Sequence, residues 1–322
     1  MDKTNLIETQ IAIKFLKDKF EDLLAKKLNL VRVSAPLFVK KDTGLNDNLN
    51  GVEETVSFSI NGETIEIVQS LAKWKRYALG KYNFPKDTGL YTDMNAIRKD
   101  EVMDNLHSIY VDQWDWEMII DESNRTKGFL FKIVNKIYSV IYKVATLSEK
   151  KWGFNYNLPK KIFKISTKEL EKRYPNKTPK EREYAIAKEY RAVFIHQIGW
   201  PLKNKLPHDG RAADYDDWKL NGDIILFDDA IDAPIELSSM GIRVNKDSLV
   251  KQLKYKKEIN KLDNPYCQSI YNEQLPFTIG GGIGQSRLCM YYLQKKHIGE
   301  VQSSYWSDEV IKDADKKGIK LL

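Results

Sequence analysis

The chain has little sulfur or imidazole to work with. Its 322 residues include only two cysteines, Cys267 and Cys289, too few for a disulfide framework or a zinc site. The four histidines, His107, His196, His208 and His297, are scattered, and no nucleophile is placed beside any of them. His-Glu-x-x-His, Gly-x-Ser-x-Gly and Gly-x-x-x-x-Gly-Lys-Ser/Thr are all missing, so the signatures of zinc proteases, serine hydrolases and Walker-type nucleotide binders are excluded. No run approaches ~18 apolar residues, and the opening MDKTNLIETQ has no apolar signal core. A soluble, cytoplasmic protein is expected. Internal repeats, low-complexity segments and linkers are absent too, which predicts one domain over residues 1–322.

What is present is a mildly basic, charge-rich chain of net charge +7, suited to anionic small substrates. The densest basic patch, Lys251, Lys254, Lys256, Lys257 and Lys261, is interrupted by acidic and apolar residues. It reads as a solvated helix face, so no nucleic-acid partner is expected. Apolar positions Ile7, Ile11, Phe15, Leu16, Phe20, Leu23, Leu24 and Leu28 predict a helix over residues 4–28 with Thr4 as a cap. A short strand, 30–36, follows and ends at Pro36, which cannot donate to a ladder. Alternation on either side of Asn61-Gly62 predicts a hairpin over 56–67 with a type I′ turn. Residues 68–76 continue into a short helix. A strand is expected to begin at Ile97-Arg98, and a long one to run over 107–117. Residues 129–147 form an apolar helix; 152–177 resist assignment. Thr178 and Pro179 open a helix to residue 191, and strands are expected at 192–199, 223–227 and 235–244. Strands paired through hairpins, with helices at the flanks, predict an α+β fold with an antiparallel sheet.

Three groups of residues could carry chemistry. In Thr278-Ile-Gly-Gly-Gly-Ile-Gly-Gln-Ser-Arg-Leu288, four glycines predict a strand-to-helix turn that opens a helix over 284–295 with Arg287 in its first turn. A helix N-terminus disfavours a cation unless an anion lies there too, so the stretch is either a packing feature or an anion site. On the strand 107–117, Val111, Gln113, Asp115 and Glu117 share one side and Tyr110, Asp112, Trp114 and Trp116 the other. The polar row is either a wetted sheet face or a floor of groups that reads a small polar ligand, because it would be costly to bury unpaired. Asp223 and Glu236 fall on neighbouring predicted strands. Carboxylates facing one another repel unless a cation lies between them, and Mg²⁺ is the natural one. Arg98, Lys75 and Arg287 are the candidate anion grips.

The order of these features resembles class II aminoacyl-tRNA synthetases, whose three signatures are a helix–strand–proline, a strand–loop–strand with an arginine, and a glycine-rich stretch with an arginine. The wording is similar to one family with that fold, the ammonia-dependent asparagine synthetases (aspartate–ammonia ligases). The matching stretches are Asp47-Asn-Leu-Asn-Gly51, Ser70-Leu-Ala-Lys-Trp-Lys-Arg76, Gly89-Leu-Tyr-Thr92 and His107-Ser-Ile-Tyr-Val-Asp-Gln-Trp-Asp-Trp-Glu117. They continue with Asp214-Tyr-Asp-Asp-Trp218, Asn221-Gly-Asp-Ile224, Glu236-Leu-Ser-Ser-Met-Gly-Ile-Arg243 and the stretch 280–288, in family order through nearly the whole chain.

The resemblance implies a homodimeric class II catalytic core that joins L-aspartate and ammonia with ATP and Mg²⁺ through β-aspartyl-AMP. It implies that Arg98 holds the α-phosphate and the attacking β-carboxylate, and Arg287 the outer phosphates, with Asp223 and Glu236 bordering the nucleotide and its metal. Asp47 and Asp115 suit the substrate ammonium, with Lys75 and Gln113 near its carboxylate end. Ser70, Ser108, Arg211, Asp216, Ser238, Ser239 and Arg243 are further candidates. The alternatives are an aspartyl- or asparaginyl-tRNA synthetase, for whose anticodon-binding barrel the first signature leaves no room, and a retired regulatory or RNA-binding core. Against the latter, Arg98, Glu236 and Arg287 all stand. A glutamine amidotransferase would need an N-terminal cysteine, and position 2 is Asp2.

Overall fold

The computed structural model describes residues 5–47, 49 and 53–322. Thr4 lies outside them, as do Asn48, Asn50 and Gly51 of the Asp47–Gly51 stretch. The elements in chain order are α1 (Leu6–Leu28), β1 (Leu30–Arg32), β2 (Phe38–Lys40), β3 (Ser57–Ile60), β4 (Glu63–Ile67), α2 (Ala72–Lys81), β5 (Gly89–Ile97), β6 (Tyr110–Ile119) and α3 (Lys127–Trp152). Then come β7 (Phe163–Ser166), α4 (Thr167–Arg173), α5 (Pro179–Tyr190), β8 (Ala192–His196), β9 (Asp216–Asp228) and β10 (Ala233–Arg243). The last are α6 (Lys246–Lys256), α7 (Pro265–Tyr271), β11 (Thr278–Gly284), α8 (Gln285–Tyr292) and α9 (Asp308–Lys316).

An 8-stranded sheet runs β1-β5-β6-β11-β10-β9-β8-β7, and β2-β4-β3 form a separate 3-stranded sheet. From β5 to β8 every neighbouring pair is antiparallel, as the sequence predicts. The two edges differ: β1 lies parallel to β5 and β7 parallel to β8, each reached by a crossover that hairpin reasoning does not supply. The β3–β4 hairpin turns at Asn61 and Gly62 with φ of 52° and 78°, the geometry of a type I′ turn.

Trp114 and Trp116 of β6 are fully buried in the main core. That core fills the space between the sheet and α1, α3 and α8, where Phe20 of α1 stacks on Trp114 at 5.0 Å. Helix α1 is capped by Asn5, whose side chain accepts the Glu8 N–H. It buries Leu16, Phe20, Leu24 and Leu28 but leaves Ile7 and Ile11 at 74% and 64% exposure. Helix α3 outruns its apolar stretch because Thr126 caps one end and Gly153, at φ 74°, the other. Gly89–Ile97 carries buried residues on both faces, which hides its alternation. Arg98 therefore follows a strand instead of opening one. In 152–177 the missing elements are β7 and α4, joined by a Ser166/Glu169 capping box. Strand β8 stops at His196 because Gln197 and Gly199 take positive φ.

His196 is buried, its ring packed against Phe131 and Phe194. Burial pulls its pKa down to about 4, with Lys127 adding to the shift and Glu169 opposing it. The depressed value means that the fold holds the ring neutral. This contribution is fully present above about 6.5 and is lost as pH falls through about 4. In urea melts across that window, His196→Phe should flatten the fall in stability by up to about 3 kcal/mol. Parallel curves for the two proteins would contradict the assignment.

Candidate active site

The polar face of β6 and the adjoining strands β11 and β10 floor a cleft of ≈ 350 Å³. Helix α2, the segment after β5 and the segment before β9 wall it. The glycine-rich stretch forms no turn. Gly280, Gly282 and Gly284 pair across the ladder with Glu117, Asp115 and Gln113. A Cβ on Gly280 would lie 1.8 Å from Glu117 Oε2, and one on Gly282 would lie 2.3 Å from Gln113 Oε1 and 2.7 Å from Asp115 Oδ1. These glycines supply room, so the polar side chains of β6 can lie across β11.

The polar row is not a wetted face. Asp115 and Glu117 are 2% and 0% exposed, and each has a cation. Lys75 Nζ donates to the Gly281 carbonyl at 2.9 Å and pairs with Asp115 Oδ2 at 3.2 Å. Burial pulls the Lys75 pKa down, against the attraction of Asp115. Arg243 forks onto Glu117 at 2.7–3.1 Å and also donates to Asp216. Burial works against the Arg243 charge, but Glu117 and Asp216 outweigh it and hold its pKa well above the ordinary value. Arg211 is matched in the same way by Asp209, at 2.7 Å, and by Asp223.

Arg98 and Arg287 are different. Both are half-buried in the cleft wall. Among the described residues Arg98 reaches only the Gln69 carbonyl, at 3.4 Å, and Arg287 only the Glu236 carbonyl, at 3.1 Å. Neither has a carboxylate partner there. The cleft thus offers two unneutralised guanidinium groups from different elements, which is a binding arrangement for an extended anion.

The profile of a protein family described as aspartate-ammonia ligase matches residues 7–318 of this sequence. The chain belongs to the aspartate–ammonia ligase family. The aspartate–ammonia ligase of Ruminiclostridium cellulolyticum is 57% identical over 318 residues, covering 98% of this chain and 95% of the relative. That of Mycoplasmoides gallisepticum is 53% identical over 327 residues, covering 100% of both chains. Among solved structures, the asparaginyl-tRNA synthetase of Entamoeba histolytica in complex with asparaginyl-adenylate superimposes with a TM-score of 0.68 at 14% identity. It covers 93% of this chain and 68% of that one. The Pyrococcus horikoshii asparaginyl-tRNA synthetase with asparaginyl-adenylate gives 0.68 at 15%, covering 92% and 68%. At such identities the likeness is one of fold, the class II synthetase core.

In this aspartate–ammonia ligase family chain, Asp47, Ser70, Lys75, Arg98, Ser108, Gln113, Asp115, Arg211, Asp216, Glu236, Ser238, Ser239, Arg243 and Arg287 all line one cleft. Asp223 is set apart from them, behind Arg211, and does not line it. Burial pushes the Asp223 carboxyl up; Arg211 opposes the shift and Glu236 adds to it. Asp223 Oδ1 has no hydrogen-bond partner among the described residues. A divalent cation near this oxygen and Glu236 would relieve their repulsion, but no group of three or more His, Cys, Asp or Glu side chains among the described residues is placed to hold a metal.

Sequence reasoning assigns no role to two charged residues beside the site, Lys73 and Asp214, although each stands inside a stretch that carries the family resemblance. The available signal is Lys73-Trp-Lys-Arg76. A helix that presents three cations in four positions cannot send them all to solvent on one face.

Proposed function

We propose that this cleft makes L-asparagine from L-aspartate, ATP and ammonia, through β-aspartyl-AMP, with release of AMP and pyrophosphate. The observation that carries it is the pair Arg98 and Arg287, whose guanidinium groups make no ion pair among the described residues, whereas Lys75, Arg211 and Arg243 in the same cleft each have a carboxylate. Arg98 holds the α-phosphate together with the β-carboxylate that attacks it, and Arg287 holds the outer phosphates. No protein nucleophile is needed, because the substrate carboxylate itself attacks phosphorus. Positioning and charge neutralisation are then the protein's task. Asp47 and Asp115 receive the substrate ammonium, and Lys75 and Gln113 face its carboxylate end. Ser70, Ser108, Ser238 and Ser239 supply hydroxyls to the polar wall. Arg211, Arg243 and Asp216, already paired, hold the floor in shape. Asp223 and Glu236 would border Mg²⁺ carried in by the phosphates, on which it supplies charge neutralisation when bound. The whole chain, 1–322, acts as one catalytic domain, fed by cytoplasmic ATP.

Incubation of the purified protein with aspartate, ATP, Mg²⁺ and ammonium should yield asparagine and AMP in equal amounts. ADP rising in step with asparagine would overturn adenylation. A homodimer is also proposed, built on α1 and β1. Ile7, Ile11 and Val31 of those elements stand 74%, 64% and 57% exposed, an apolar surface that needs a cover. Light scattering should show twice the chain mass, and an active monomer at micromolar concentration would contradict it.

A further inference from the structure

Behind the cleft wall lies an ion pair that the adenylation chemistry does not use. Helix α2 buries three cations, Lys73, Lys75 and Arg76, at 4%, 1% and 1% exposure. Lys75 reaches Asp115 in the cleft, and Arg76 donates to the Val244 and Pro276 carbonyls that it ties together. Lys73 does neither. Its Nζ pairs with Asp214 Oδ2 at 2.6 Å, and Asp214 has no other partner among the described residues. Lys73 is the second residue of α2, where the helix dipole disfavours a cation. Burial works against both charges as well, although for Lys73 the attraction of Asp214 and Asp47 outweighs it and raises its pKa. Two apolar side chains of similar volume would fill the space without either cost, so stability alone gives no reason for the pair.

The pair's chain neighbours Ala72 and Tyr215 line the same cleft as Asp47, and the charges of Lys73 and Asp214 both act on that carboxylate. That residue is 1% exposed and lines the cleft. Its Oδ1 accepts the Leu49 N–H at 3.0 Å, and its Oδ2 has no partner among the described residues. The charges that act on it are Lys73 from α2, Asp214 and Tyr215 from the segment before β9, and Arg98 from the end of β5. Tyr266 and Cys267 of α7 stand beside Lys73 and Asp214 on the far side. Ala72 and Tyr215, the chain neighbours of the pair, line the cleft, whereas Lys73 and Asp214 do not. The pair itself does not reach the cleft, and Asp47 is the lining carboxylate on which its charges act.

We propose that Lys73 and Asp214 are positioning residues whose opposed charges set the ionisation of Asp47, the cleft carboxylate that receives the substrate's ammonium group. The proposal rests on the role given to Asp47 in the ligase reaction. Burial pushes the Asp47 carboxyl up to about 6; Lys73 opposes that shift, Asp214 adds to it, and Arg98 opposes it. Loss of the Lys73 charge therefore raises Asp47 further. Loss of the Asp214 charge lowers it and frees the Lys73 ammonium to turn toward Asp47.

The two losses act in opposite directions, which a merely structural pair would not produce. In kcat/KM for aspartate against pH, Lys73→Met should move the acid limb up by about one unit, and Asp214→Asn should move it down. Lys73→Arg should keep the wild-type limb, and KM for ATP should stay unchanged in all three. If Lys73→Met does not fold, Asp214→Asn and Lys73→Arg carry the test. Limbs that stay in place, or that move the same way in both charge-removing variants, would overturn the proposal. Failure of the wild-type protein to form asparagine would overturn the ligase reaction instead.

Discussion

Arg98→Lys is expected to lower turnover by roughly 10²–10³-fold, the loss typical of removing one donor to a developing charge, while ATP binding changes far less. Adenylation brings two anions, the β-carboxylate and the α-phosphate, within bonding distance. Their repulsion peaks in the transition state, so a cation shared between them is worth most there. Arg98 is free for this role because its guanidinium makes no ion pair among the described residues and reaches only the Gln69 carbonyl at 3.4 Å. A guanidinium fork can bridge both groups, and the point charge of lysine cannot. The variant should fold normally, since no buried carboxylate is left unpaired by the change. Steady-state kinetics decide it. Near-normal turnover with only a raised KM for ATP would show that Arg98 binds ground state and transition state alike.

Gly280→Ala should cost about 3–5 kcal/mol of stability, the loss that follows breaking a buried ion pair. Gly280 is held on both sides, by Glu117 of β6 and Gly241 of β10, so its strand cannot step aside. The new Cβ would lie 1.8 Å from Glu117 Oε2 and 2.7 Å from Arg243 Nη2. Glu117, at 0% exposure, would have to leave Arg243 with nowhere wet to go. Urea melts should show a lower midpoint at unchanged slope. Gly128→Ala is the control. Its Cβ would meet nothing nearer than Thr126 Oγ1 at 3.9 Å, and inside α3 it should add about 0.5–1 kcal/mol. Equal stabilities for Gly280→Ala and wild type would show that the glycines of β11 do not make room for the buried charges.

The sequence is legible wherever one local rule decides the outcome. The Asn61-Gly62 turn, the Thr178–Pro179 helix start and the alternation of β6 each follow from chemistry within a few residues, and the fold contains all three. The glycine-rich stretch misleads in a specific way. Glycine reads as a turn because of its φ freedom, but here Gly280–Gly284 sit in a strand, and what they lack is volume. That reason is visible only once Glu117, Asp115 and Gln113 are seen across the ladder. Arg98 is recognisable as a cation, yet the sequence pattern sets it on the wrong end of its strand, because burial on both faces of β5 erases the alternation. Lys73 is hidden by composition: most lysines are solvated, and its partner Asp214 lies far along the chain. The difference between Arg98 and Arg243 is likewise a matter of tertiary pairing, which spacing along the chain does not encode.

The β-carboxylate of aspartate, labelled with ¹⁸O, tests the central claim most directly. If that carboxylate attacks the α-phosphorus and ammonia then displaces AMP, one labelled oxygen must pass from aspartate to the phosphate of AMP. Mass spectrometry of the products should find AMP carrying one ¹⁸O for each asparagine formed, with unlabelled pyrophosphate. Unlabelled AMP, or label released as inorganic phosphate beside ADP, would contradict adenylation of the β-carboxylate in this cleft.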